Sequence, residues 1–278
     1  CGAVMGGMVN PNPTPAVFNT GMVCLGWAAV LRSEEDERLR SAATRAVEWL
    51  LDQQDQDGAW RRGNSRFAEP AWTLYNVKAA WGMAEAGAVL GIDSALEGAR
   101  RAAEYTIAHQ KSNGWFANNC LTDASRPLLH TTAYVMQGLT GIGRLLGEDH
   151  FVDAAARCAT ALADRVTSHG FLAGRHADDW SDAAPWACLT GMAQTIIVWC
   201  QLDRHRQERH FARPTEDVAG FLLRHHDVEN EDLTLRGGVP GSWPVWGDYG
   251  QYRILNWATN FFVEALLLKS SVYDANTR

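Results

Sequence analysis

The chain has 278 residues, 46% apolar and 21% charged, which suits a globular domain and is too apolar for a disordered chain. Its 25 Lys+Arg against 32 Asp+Glu leave a net charge of −7, which argues against a nucleic-acid or anionic-membrane binder. No apolar run reaches the roughly 18 residues a membrane span needs, and one figure stands out: 12 tryptophans.

Apolar periodicity predicts helices over Ala16–Leu31, Glu34–Gln53, Trp72–Leu90, Ser94–Gln110, Leu129–Leu146, Glu148–Val166, Trp186–Asp203, Thr215–His225 and Arg253–Lys269. The first of each pair is apolar nearly all round, as in Gly191–Cys200 and Ala258–Leu268. The second carries a charged face, as in Arg38–Asp52 and Glu97–Glu104. Three charged-face helices end alike, at Gly58-Ala59-Trp60, Gly114-Trp115-Phe116 and Gly170-Phe171-Leu172, with spacings 114 − 58 = 56 and 170 − 114 = 56. Counting back reaches Gly2. Counting forward reaches 226, short of Gly237 by 237 − 226 = 11 residues, an insertion within 227–237. An apolar inner helix and an amphipathic outer one in each repeat predict an all-α fold. It is an α/α toroid of about four to five helix pairs, one domain over 1–278, with long loops at one end. An open solenoid is the alternative, but it does not require one helix of every pair to be apolar on all faces.

The six cysteines form no Cys-x-x-Cys pair and read as reduced and buried. That favours a cytoplasmic location. A start at Cys1 rather than Met leaves a secreted or periplasmic location, or a lipoprotein, open.

The long loops connect each outer helix to the next inner helix, so they gather over the inner-helix N-termini. Trp60 and Trp115 read as loop pins, while Trp180, Trp243 and Trp246 lie in irregular segments where aromatic faces suit sugar stacking or a cation. The inner helices open with polar residues: Asn19-Thr20, Asn76, His130-Thr131 with Tyr134, Thr190 with Gln194, and Asn256. Thr20, Thr131 and Thr190 are candidate N-caps. The positive helix ends favour an anionic ligand such as a carboxylate. Arg175 is a fork for that carboxylate, and Asp179 an acid or base if burial raises its pKa. The bland alternative for the Gly174–Asp182 loop is a solvated acidic turn holding an internal Arg–Asp pair. His130 is a candidate base, or else a core histidine on a carbonyl. Tyr134 and Tyr252 are candidate proton carriers, and Asn119 and Asp248 candidate substrate contacts. His225-His226 are adjacent and ill-suited to one ion, and no spacing supports a zinc set from His130, His176 and Asp179. No cofactor or metal is expected, and no phosphate-loop, dinucleotide or nucleophile-elbow motif is present.

The ending Gln54-Asp55-Gln56-Asp57-Gly58-Ala59-Trp60 resembles the repeats of squalene-hopene-type terpene cyclases. Leu129-His130-Thr131-Thr132-Ala133-Tyr134 resembles a stretch of protein prenyltransferase β-subunits, whose histidine there binds zinc. Both resemblances imply an α/α toroid. Neither carries its function over: the cyclase Asp-x-Asp-Asp proton donor and the Asp-x-Cys that completes the prenyltransferase zinc site are absent. Cys188–Ile197 and Ile254–Val263 resemble the toroid domain of uronyl C5-epimerases, and the chain is similar to uncharacterised bacterial toroid proteins of polysaccharide metabolism. That resemblance implies a carbohydrate-active enzyme on an acidic, uronate-containing polysaccharide. It would act by lysis or C5-epimerisation, with Arg175 and Asn119 on the carboxylate and His130 or a tyrosine moving the proton. A hydrolase using Asp179 is the close variant. A terpene-type cyclase with Asp178 or Asp179 as acid, and a non-catalytic glycan-binding toroid, are the alternatives. The expected partner is a polysaccharide or other small-molecule substrate, and the sequence leaves the oligomeric state undefined.

Overall fold

The computed structural model describes residues 15–66 and 68–274; Cys1 and Gly2 lie outside them. The described helices are α1 (Val17–Leu31), α2 (Glu37–Gln53), α3 (Val77–Leu90), α4 (Asp93–Ala108), α5 (Leu129–Leu146), α6 (Asp149–Ala163), α7 (Leu189–Arg206), α8 (Ala212–Arg224) and α9 (Asn256–Lys269). Two short strands, β1 (Ala187–Cys188) and β2 (Ser242–Trp243), pair antiparallel with Ala187 opposite Trp243. The expected helices are all present. The largest shift is at α3, where Trp72 falls in the first of two single-turn 3₁₀ segments, Pro70–Trp72 and Leu74–Asn76, and the α-helix begins only at Val77. No described helix is long and apolar enough to cross a membrane.

The chain divides into two compact units. One takes the described residues up to Ser112, with Phe116–Ala124 and Tyr134–Ala155; the other takes Asn113–Trp115, Ser125–Ala133 and the residues from Ala156 onward. In the first unit α1 and α3 meet backbone to backbone: a Cβ on Gly21 would lie 2.4 Å from the Ala79 Cα, and one on Gly82 would lie 2.0 Å from the Gly21 carbonyl oxygen. In the second unit α7 is buried on every face from Leu189 to Cys200, as an inner helix should be. α9 departs from that expectation. Ala258, Phe262 and Ala265 are buried, but Trp257, Val263 and Leu267 are exposed on the opposite stripe, because no later helix among the described residues covers it.

The repeat has a physical basis. Each repeat glycine has positive φ and sits against the backbone of the next outer helix: Gly58 against Arg101, Gly114 against Arg157 and Gly170 against Asp217. A side chain would collide there, and the left-handed backbone suits glycine. The glutamines repeat as well. Gln54 Nε2 donates to the Gly98 carbonyl at 2.9 Å, and Gln110 Nε2 to the Ala154 carbonyl at 2.7 Å. Donors and acceptors are both 56 residues apart (110 − 54 and 154 − 98). Trp60 pins its loop to α2 by donating Nε1–H to the Leu50 carbonyl at 3.0 Å.

The three threonine caps are not formed. Thr20 Oγ1 donates to the Ala16 carbonyl and Thr131 Oγ1 to the Leu128 carbonyl, and Thr190 lies inside α7 behind the N-cap Cys188. Hydroxyls that bond backwards to carbonyls satisfy themselves and leave the helix N–H groups to others. The cap on α2 is Asp36, whose Oδ1 accepts from Leu39 N at 3.0 Å, so that helix starts later than Glu34. Cys24, Cys120, Cys158, Cys188 and Cys200 are free thiols and buried.

Candidate functional site

The second unit assembles one polar group from four segments. Leu129 N donates to the Gly174 carbonyl at 2.9 Å and Leu128 bridges to Arg175, which brings the start of α5 beside the loop that carries Arg175. Gly174 is required there, because a Cβ would lie 2.2 Å from the Trp186 ring. Gly191 lets α7 pass against α5, since a Cβ would stand 2.6 Å from His130 N.

His130 is 6% exposed, and its Nδ1 lies 2.8 Å from Gln194 Oε1. A carbonyl oxygen only accepts, so Nδ1 carries the proton and Nε2 is the basic nitrogen. Gln194 is fully buried, and its Nε2 has no hydrogen-bond partner among the described residues. Arg175, 5% exposed, points its guanidinium at Asp248: Nε donates to Oδ2 at 3.2 Å and Nη2 to Oδ1 at 3.4 Å, while Nη1 donates to the Arg126 carbonyl at 2.9 Å. The Asp248 side chain is 56% exposed, so a buried cation is met by a carboxylate open to solvent. Next in sequence, Tyr249 lays its ring 4.8 Å from the His130 ring and accepts the Trp257 indole N–H at 2.9 Å. His130, Gln194, Arg175 and Asp248 thus belong to one local arrangement.

Other expected residues are placed elsewhere. Asp179 is exposed, and its carboxyl accepts from the Ser181 hydroxyl at 2.5 Å and the Ser181 N–H at 2.8 Å. Those bonds lower its pKa, the opposite of the raised value an acid would need. Asp178 is exposed as well. Trp180 is 5% exposed, and its Nε1 donates to the Asn113 carbonyl at 2.9 Å, so it anchors the loop and offers no open face. Tyr252 is 71% exposed at positive φ, and its neighbour in the 247–252 segment, Tyr249, is the tyrosine that reaches His130. Asn256 is exposed and accepts the Trp257 N–H through its own Oδ1. Trp243 and Trp246 are partly exposed, and Trp243 packs 4.3 Å from the His225 ring.

In the first unit, Asn119 is fully buried beside the Thr73 backbone. Asn76 and Tyr134 are also buried there, each beside partners of its own. His176 in the second unit is 3% exposed. Burial drives its pKa down to about 4, and Asp182, 3.7 Å away and half exposed, is too far to donate or accept a hydrogen bond. Among the described residues His130, His176 and Asp179 do not meet as metal ligands. Glu104, Glu148 and His150 do lie close together, but Arg100 donates to Glu148 at 2.7 Å and His150 to Glu104 at 3.1 Å, a solvated ion-pair cluster.

No protein-family model matches the chain, and no curated protein matches it. Solved structures do. The unsaturated glucuronyl hydrolase responsible for glycosaminoglycan degradation in Bacillus sp. GL1 matches with a TM-score of 0.71 at 16% identity, over 92% of this chain and 75% of that one. The cellobiose 2-epimerase of Spirochaeta thermophila DSM 6192 matches with a TM-score of 0.75 at 14% identity, over 98% and 74%. A D-mannose isomerase matches with a TM-score of 0.74 at 12% identity, over 96% and 73%. The fold is therefore an α/α toroid of the kind these enzymes use, and these matches do not single out the terpene cyclases or the prenyltransferases.

Proposed function

We propose that this protein is a carbohydrate-active enzyme that moves a proton at a ring carbon of a uronate-containing glycan. The observation that carries the reading is His130 held in one tautomer by Gln194, within the arrangement that also contains the buried Arg175. The uronate carboxylate takes the place of the solvent-open Asp248 on the Arg175 guanidinium, which withdraws charge from it. His130 Nε2 removes the proton at C5, next to that carboxylate. Tyr249 is the second proton carrier, returning a proton to the opposite face in epimerisation or to the leaving oxygen in lysis. The glucuronyl hydrolase and sugar epimerases of the same fold support a sugar substrate.

Lysis is read as a new ultraviolet absorbance from the unsaturated uronate, and epimerisation as solvent deuterium at C5. His130→Ala is expected to lower kcat about 10²–10⁴-fold, and Arg175→Ala to raise KM for uronate polymers with little effect on neutral ones. If both variants match the unaltered protein on every acidic glycan, the assignment is wrong.

A further inference from the structure

The first unit holds a polar and aromatic cluster that the acid–base reading does not use. Asn76 is 2% exposed, and its Nδ2 donates to Asn64 Oδ1 at 2.8 Å, which fixes the amide orientation. Its own Oδ1 is buried with no donor among the described residues, and Asn19 Oδ1, in the first turn of α1, is in the same condition. Two buried amide carbonyls that lack donors are costly unless something donates to them. Aromatic rings lie alongside. Phe18 stands 5.8 Å from the Tyr75 ring and 4.6 Å from the Tyr134 ring. Lys78 is 4% exposed on an otherwise apolar turn of α3; its Nζ lies 4.6 Å from the centre of the Tyr134 ring and donates to Gln137 Oε1 at 2.5 Å.

We infer that the first turns of α1 and α3 form a subsite for a neutral sugar ring, separate from the acid–base group of the second unit. A sugar hydroxyl can donate a hydrogen bond, so it matches a buried amide carbonyl that has no donor among the described residues. The apolar face of a pyranose suits the Phe18 ring, which is only partly buried. Carbonyl oxygens repel a carboxylate, so Asn76 and Asn19 select for hydroxyls. The inference rests on the reading of the protein as glycan-active, and it assigns a neutral sugar unit as part of the substrate.

The test is saturation-transfer NMR and calorimetry with two probes, cellobiose and glucuronate, on the unaltered protein, Asn76→Leu, Asn19→Ala and Arg175→Ala. Asn76→Leu is expected to weaken cellobiose at least about tenfold and glucuronate less than about twofold. Asn19→Ala, in a less buried position, is expected to act in the same direction and keeps the test open if Asn76→Leu does not fold. Arg175→Ala is expected to do the reverse. Cellobiose binding that is absent from the unaltered protein, or unchanged in both asparagine variants, overturns the subsite. Unchanged glucuronate binding in Arg175→Ala overturns the uronate reading instead, and leaves the subsite standing if cellobiose still depends on Asn76.

Discussion

His176 and His130 illustrate how position decides what an imidazole does. Both sit in loops or helix starts of the second unit, yet one is a buried neutral ring and the other is clamped by an amide. The sequence singles out His130 as a candidate base but leaves open whether it is a core histidine on a carbonyl, because its partner Gln194 arrives from 64 positions away. The Arg175–Asp248 pair spans 73 positions, and no local spacing announces it. His176 carries a pH signature. Its pKa is about 4 in the folded chain against 6.5 ordinarily, so the unfolded chain binds the proton first as pH falls. That contribution is intact above pH 6.5 and is lost on acidification toward pH 4. Urea melts at pH 7 and pH 5 are expected to show a loss of about 2 kcal/mol from this group, and His176→Gln to flatten the difference by that amount. An unchanged slope would mean the ring is protonated in the fold.

At the scale of elements, the helices and their order were legible, because the 56-residue recurrence and the alternation of apolar and charged-face helices are both properties of side-chain pattern. Helix starts were less so. Threonines at the expected cap positions bond backwards, and a 3₁₀ turn at Leu74–Asn76 delays α3. α9 reads as an inner helix by composition but is covered on one side only, a fact of packing partners and not of its own residues. The repeat glycines allow a direct comparison. A Cβ at Gly170 would lie 1.9 Å from the Asp217 carbonyl oxygen, whereas at Gly91, equally left-handed at φ 74°, it would meet nothing within 4 Å. Gly91→Ala is expected to cost about 1 kcal/mol from backbone strain alone. Gly170→Ala should cost at least about 1–3 kcal/mol more, read from denaturation midpoints. Equal losses would show that the close approach is relieved by a small shift.

For the whole molecule, the net charge of −7 and the proposed anionic substrate oppose each other at long range, while the buried guanidinium attracts at short range. Screening weakens the first more than the second. Association with a uronate polymer is therefore expected to quicken about 2–5-fold between 10 and 150 mM salt, measured by stopped-flow fluorescence of the tryptophans. A rate that falls with salt would place a positive field over the site. The tryptophan excess itself divides by burial: Trp60, Trp115, Trp180, Trp186 and Trp199 are structural anchors, and Trp243, Trp246 and Trp257 are open to solvent.

The glutamine and glycine contacts all point the same way along the chain, each reaching from the end of one outer helix to the middle of the next. A repeat therefore brings its own grip and its own handhold. Duplicating one would add a complete, pre-matched joint, and deleting one would remove both halves together. In a closed toroid, however, such a change also alters the number of helices that must meet to complete the ring, so the joints between repeats are interchangeable in a way that the closure is not.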